Sequence, residues 1–168
     1  MYKEIFKTFN KETDGFEGGY EGYTVDTNFE NLSIFLEKEV NNKEHKDLIL
    51  NILRDKFDRI SILKSINIED NFQGKGFGKF ALEEFIEEST NESAEAILLL
   101  ADAEGGQRDN FILTLFYEQN DFEVIYDKQK YPILLGPSEV AFDVKDKLEE
   151  TFNELFFRKR NLSKLKRK

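Results

Sequence analysis

Apolar residues along this chain change period several times, and each change marks an element. Leu48, Ile49, Ile52, Leu53 and Phe57 recur at helical spacing with charges between them, which predicts a helix over residues 43–57. Residues 60–68 read as a strand, with Ile60, Ile62, Ile66 and Ile68 on one face by period two. Lys64 falls on that same face and predicts a bulge or a partly open edge. Residues 77–88 predict a helix that turns Phe80, Ala81, Phe85 and Ile86 inward, and 96–100 are wholly apolar, the pattern of an interior strand. A helix over 110–118 and strands over 122–126 and 131–135 follow. Val144, Leu148, Phe152, Leu155 and Phe156 then predict a terminal amphipathic helix over 143–160.

The first forty residues are less regular. Residues 2–9 fit a short strand, and 14–22, with four glycines in nine positions, read as a loop. A second short strand fits 23–29, while 32–40 suits helix or strand equally. Only residues 127–130 separate the last two strands, so these run antiparallel. The pattern predicts an α/β (α+β) domain with mixed strand directions and no internal repeat.

Composition narrows the chemistry. A chain of 168 residues supports one good core, and 39% hydrophobic with 35% charged residues fits a folded, soluble protein. No apolar run approaches the length of a bilayer span, and the first residues lack the pattern of a secretory signal, so a cytoplasmic protein without membrane attachment is expected. The absence of Cys removes disulfides, thiolate metal sites and a cysteine nucleophile. His45 is the single histidine, in a polar helix start where an exposed side chain is expected, and no metal site is predicted. The net charge of −10 is uneven: residues 157–168 hold seven basic and no acidic residues, leaving −17 on the rest. Such a body favours cationic partners and argues against nucleic acid, the basic tail excepted.

The densest chemistry lies in Gln73-Gly74-Lys75-Gly76-Phe77-Gly78-Lys79, at a strand-to-helix junction. Glycines there let an anion approach the backbone, and the helix start turns free N–H groups toward it. A Walker loop would need Ser or Thr after its Lys, but Phe80 follows Lys79. A dinucleotide fold expects its glycines after the first strand, whereas these come mid-chain; the next strand does run into Asp102, which keeps that reading open.

At these residues the chain resembles the GNAT superfamily of acetyl-CoA-dependent N-acetyltransferases. The family pattern of Gln or Arg, two residues, Gly, one residue, then Gly or Ala is met by Gln73 to Gly78, after an apolar–any–apolar strand end at Ile66-Asn67-Ile68. A second match follows: Asn110 opens a helix, Tyr117 stands seven residues on, and Asn120-Asp121-Phe122 takes the place of a Gly-Phe turn. Asn and Asp tolerate the left-handed backbone that such a helix end needs. The resemblance covers residues 60–135. It implies a mixed, mostly antiparallel central sheet flanked by helices, as a single acyl-CoA N-acyltransferase-like domain over 1–140. Residues 141–168 add a C-terminal helix and basic tail.

By the same resemblance, Ile66, Asn67 and Ile68 would pair with pantetheine, Gln73 and Gly74 to Lys79 (with Lys75, Gly76, Phe77 and Gly78) would hold the pyrophosphate, and Asn110 would bind the pantetheine arm. Tyr117 would be the general acid, and Asp102 or Glu104 the base working through water. The implied function is acetyl transfer from acetyl-CoA to a primary amine, a cationic small molecule or a protein amino group, with a homodimer left open. Two alternatives stand beside it: a non-catalytic CoA-binding regulatory module, and a toxin-like acetyltransferase of aminoacyl-tRNA using the basic tail. The resemblance also implies two strands and two helices ahead of a hairpin-linked strand at residue 60, building the acceptor pocket. The 14–22 segment, with Phe16, Tyr20 and Tyr23, fits a wall of that pocket or a surface loop.

Overall fold

The computed structural model describes residues 1–102 and 110–166. Its centre is a six-stranded sheet in the order β1 (Tyr2–Phe9), β2 (Gly18–Asp26), β3 (Arg59–Ile68), β4 (Ile97–Leu100), β6 (Ile133–Gly136), β5 (Glu123–Tyr126). Every neighbouring pair is antiparallel except β3 with β4. One face packs against α2 (Glu30–Glu39), α3 (Lys43–Lys56) and α6 (Glu139–Lys166), around Leu36, Leu53, Ile60, Ile62, Leu98 and Leu148. The other packs against α4 (Phe77–Asn91) and α5 (Asn110–Glu118), around Phe16, Leu63, Phe85, Leu99 and Tyr117. A one-turn helix, α1 (Lys11–Asp14), lies in the β1–β2 connection. The mixed, mostly antiparallel sheet with helices on both faces and an added C-terminal helix is the expected fold class.

Several elements differ from their sequence pattern, each for a reason of packing. The 14–22 segment is a loop only at its start, because Gly18 opens β2. Gly15 does turn the chain, ending α1 at φ 85°, but Gly18, Gly19 and Gly22 serve close approach: a Cβ on Gly18 would lie 2.2 Å from the Asn67 carbonyl oxygen. On Gly22 it would lie 2.3 Å from the Ile62 carbonyl oxygen and 2.7 Å from the Phe85 ring. Phe16 and Tyr20 point from this segment into the core beside α4, with Phe16 stacked on Phe77 at 4.3 Å. Residues 32–40 resolve as helix α2.

The four isoleucines of β3 do not share a face. Gly22 pairs with Leu63 and Glu21 with Ser65, so Lys64 is an extra residue opposite no partner. One added residue reverses the alternation. Ile60 and Ile62 therefore enter the α2/α3/α6 core, while Ile66 and Ile68 pack against the α4/α5 core. In α4 the buried residues are Ala81, Leu82, Phe85 and Ser89, whereas Phe80 is exposed and Ile86 only partly buried.

Two further corrections come from long-range contacts. The β2 and β3 strands pair directly, but the chain between them carries α2 and α3 instead of a hairpin. His45 is half-buried: its Nδ1 lies 2.8 Å from the Tyr126 hydroxyl and its ring 4.8 Å from that of Phe152 in α6. Burial, with the Lys128 charge nearby, lowers its pKa. Local periodicity could not show that α6 crosses the start of α3.

The contact at Gly22 is testable. Gly22→Ala should lower stability by about 1–3 kcal/mol, since the new methyl meets backbone as well as a ring that is fully buried. A urea melt with an unshifted midpoint would contradict that placement.

Candidate functional site

The site is built on a sheet pair that forms and then opens. Parallel pairing between β3 and β4 runs only from Ser61↔Ile97 to Leu63↔Leu99. Past the bulge, β3 continues to Ile68 with β2 on one side and, among the described residues, no strand on the other. Its free edge, the glycine loop and the inward face of α5 enclose a cavity of about 420 Å³. That volume lies within the range of small-ligand sites.

Local chemistry explains the loop. After Ile68 the chain makes a single 3₁₀ turn at Asp70–Phe72. Gln73 then clamps this turn to the strand end: its Nε2 donates to the Ile68 carbonyl oxygen at 2.9 Å and to Asp70 Oδ1 at 3.3 Å. Gly74 and Gly76 follow at φ 76° and 86°, in the left-handed region that glycine enters freely. A Cβ at either would meet nothing within 4 Å, so the backbone angle alone requires glycine there. The α4 helix starts at Phe77, with Gly76 as a cap that has no side-chain bond, and its first turn closes through Phe80 N–H to the Gly76 carbonyl at 3.1 Å. Among the described residues, no amide from Gly74 to Lys79 donates to a backbone acceptor. The turn thus presents consecutive free N–H groups at the positive end of a fifteen-residue helix.

The other wall is α5. Leu113, Phe116, Tyr117 and Asn120 line the cavity at helical spacing, together with Gln119. Tyr117 is 6% exposed and stands between the Phe116 and Phe122 rings. Burial pushes its hydroxyl pKa up, so it keeps its proton at neutral pH. The helix ends as anticipated for Asn120-Asp121-Phe122: Asp121 takes φ 70°, and the N–H groups of Asn120 and Phe122 return to the Tyr117 carbonyl at 3.0 and 3.1 Å. Asn120 Nδ2 adds a bond to the Phe116 carbonyl at 2.7 Å.

The expected site residues fall into three groups. Ile66, Asn67, Ile68, Gln73, Gly74, Gly76, Gly78, Lys79, Asp102 and Tyr117 all line the one cavity. Lys75 is exposed beside it, and Phe77 turns inward onto Phe16. Asn110 opens α5, and Glu104 lies outside the described residues. Asp102 is exposed just past β4, where Ala101 N–H donates to the Pro132 carbonyl at 2.9 Å. Sequence reading missed the α5 lining residues Leu113, Phe116, Gln119 and Asn120, although the three- and four-residue spacing from Tyr117 could have placed two of them, Leu113 and Asn120. It also missed Glu39, at the end of α2. Burial raises the pKa of that carboxyl, and the Asp102 charge adds to the rise against nearby Lys38. Among the described residues, no group of three His, Asp or Glu could hold a metal ion.

No family model matches the chain, and no curated protein does. Solved structures with a similar chain path include an acetyltransferase from Thermus thermophilus, 12% identical, covering 81% of this chain and 65% of that one at a TM-score of 0.49. The chain therefore spans just under two thirds of that protein. A polyamine N-acetyltransferase of Drosophila melanogaster is 8% identical over 72% of this chain and 69% of its own, at a TM-score of 0.47. The PaiA N-acetyltransferase of Thermoplasma acidophilum, solved with coenzyme A, is 11% identical over 81% and 99%, at a TM-score of 0.42. The architecture, a mixed sheet with one short parallel pair, helices on both faces and a terminal helix, is the one the motif resemblance implies.

Strain at the loop glycines can be measured without any ligand. Gly76→Ala should cost about 1 kcal/mol through its φ of 86°, while Gly78→Ala, inside the first helical turn with 3.8 Å of clearance, should be neutral or stabilising. Equal denaturation midpoints for the two variants would contradict the loop geometry.

Proposed function

We propose that this chain transfers an acetyl group from acetyl-CoA to a primary amine by direct attack. The observation that carries the reading is the convergence of three features on one cavity: the free edge of β3, the loop with unpaired amides, and Tyr117. Each suits a different part of the donor. The amides of Gly74 to Lys79, with Lys75 and Lys79 beside them, offer hydrogen bonds and positive charge to a pyrophosphate. The open backbone at Ile66 to Ile68 can pair with the amides of pantetheine as an added strand would. Asn110, at the start of α5, is assigned to the same arm by the motif resemblance.

The chemistry at the far end needs a proton donor for the departing thiolate and an acceptor for the amine proton. Tyr117 holds its proton in an apolar setting and supplies the first. Asp102, or Glu104 beyond it, supplies the second through water. A backbone N–H at the end of β3 polarises the thioester carbonyl. With no Cys in the chain, the amine attacks the thioester without a cysteine-bound intermediate. The charge of −17 outside the tail favours acceptors that arrive as cations, whether small molecules or protein amino groups.

Thermal denaturation tests the donor. Acetyl-CoA and CoA at a hundred times their dissociation constants should add about 2.7 kcal/mol, a shift of several degrees for this chain length, and NAD should not. Absence of a shift with both CoA species would overturn the proposal. In turnover, Tyr117→Phe should lower kcat by roughly a hundredfold while leaving the KM for acetyl-CoA near its original value. Unchanged turnover would remove Tyr117 from the acid role, and tight acetyl-CoA binding without CoA release to any amine would leave a binding module.

A further inference from the structure

The helices α2, α3 and α6 cover one face of β3 to β6 but leave β1 and the neighbouring part of β2 bare. Along β1 the residues alternate: Ile5 and Phe9 are buried toward α4, while Tyr2, Glu4, Phe6 and Thr8 stand outward. Phe6 is 69% exposed. With β2 and the end of β3 they form a groove of about 670 Å³. Asn67 lines both this groove and the donor cavity, so the two meet at the free stretch of β3.

The lining selects an occupant. Glu4, Glu17, Glu21 and Glu69 contribute four carboxylates. Of the two cations in the lining, Lys7 Nζ bonds Glu84, outside the groove, at 2.7 Å, and Lys64 Nζ lies 3.5 Å from Glu21, so that carboxylate is partly neutralised and Glu4, Glu17 and Glu69 carry most of the groove's negative charge. Tyr2 and Tyr23 stand with ring centroids 5.2 Å apart, and Phe6 extends this aromatic row. Carboxylates interspersed with ring faces suit ammonium groups joined by methylene segments. The outward side of β1 runs on the order of 20 Å from Tyr2 to Thr8, long enough for an extended chain. A peptide fits less well, because β2 in the middle of the groove floor is paired on both sides, with β1 and with β3, and has no backbone edge left to offer.

We propose that this groove is the acceptor subsite and takes a linear aliphatic polyamine, an inference that rests on the acetyl-transfer reading above. One ammonium is held among the carboxylates, and the distal amine reaches past Asn67 to the donor cavity. That nitrogen, neutral, forms the bond to the acetyl carbon as the carbon–sulfur bond breaks. Its proton leaves to the Asp102 side, sulfur takes the Tyr117 proton, and solvent returns a proton to Tyr117.

Calorimetric titration of spermidine, without acetyl-CoA, tests the groove independently of turnover. Binding is expected, roughly tenfold weaker in Glu4→Gln/Glu21→Gln, weaker at high salt, and absent for n-butylamine. With acetyl-CoA, the same pair should raise the KM for spermidine about tenfold and leave the KM for acetyl-CoA unchanged. Because both side chains are exposed, circular dichroism of the variant should match the parent. No spermidine binding, binding indifferent to the two substitutions, or a lysine-bearing peptide bound as tightly would overturn the polyamine groove. Acetylation of n-butylamine as efficiently as spermidine would overturn it while leaving acetyl transfer intact. Spermidine binding with the expected dependence but no CoA release would instead overturn acetyl transfer, and with it the role of acceptor subsite.

Discussion

The parallel contact between β3 and β4 governs the rest of this molecule, and it spans only three residue pairs. Where it stops, β3 carries an extra residue at Lys64. The bulge does two things at once. It reverses which side chains face which helices, so the same strand feeds both cores. It also coincides with the loss of the β4 partner, leaving an edge that would be a liability anywhere exposed. Here the edge is enclosed between the glycine loop and α5, where a ligand with amide groups can complete it.

Glycine plays two unlike roles around that edge. At Gly74 and Gly76 the surrounding space is open and only the positive φ demands glycine. At Gly18 and Gly22 the angles are ordinary and the space is full, because β2 lies hard against β3 and α4. The first pair shapes a turn with free amides at a helix start. The second lets β2 pack closely against β3 and α4. Both sets punctuate the sequence in the same way, and composition alone does not separate them.

Much of the candidate site was legible because its chemistry is local. A glycine run between a β-branched strand and an amphipathic helix must make a turn with free amides, whatever surrounds it. The Asn110–Tyr117 spacing likewise survives as one helix, and the Asp121 left-handed residue follows from its side chain. Features set by contact across the chain were not legible. His45 has the local pattern of a solvated helix start, yet Tyr126 and Phe152 of α6 pack against it. Residues 14–22 read as a loop because strand glycines required by a neighbour look the same as turn glycines. Glu39 came near Asp102 only through the placement of α2.

By itself the sequence determined the alternation of strands and helices from residue 43 onward, the glycine turn with free amides, and the acidic character of the body. These depend on period, backbone preference and charge, which are properties of short segments. Tertiary structure decided where β3 changes face, how long it stays paired with β4, and that the first two strands keep one side bare. Those outcomes depend on register and on which helix covers which strand. A single inserted residue reverses them without altering the local pattern.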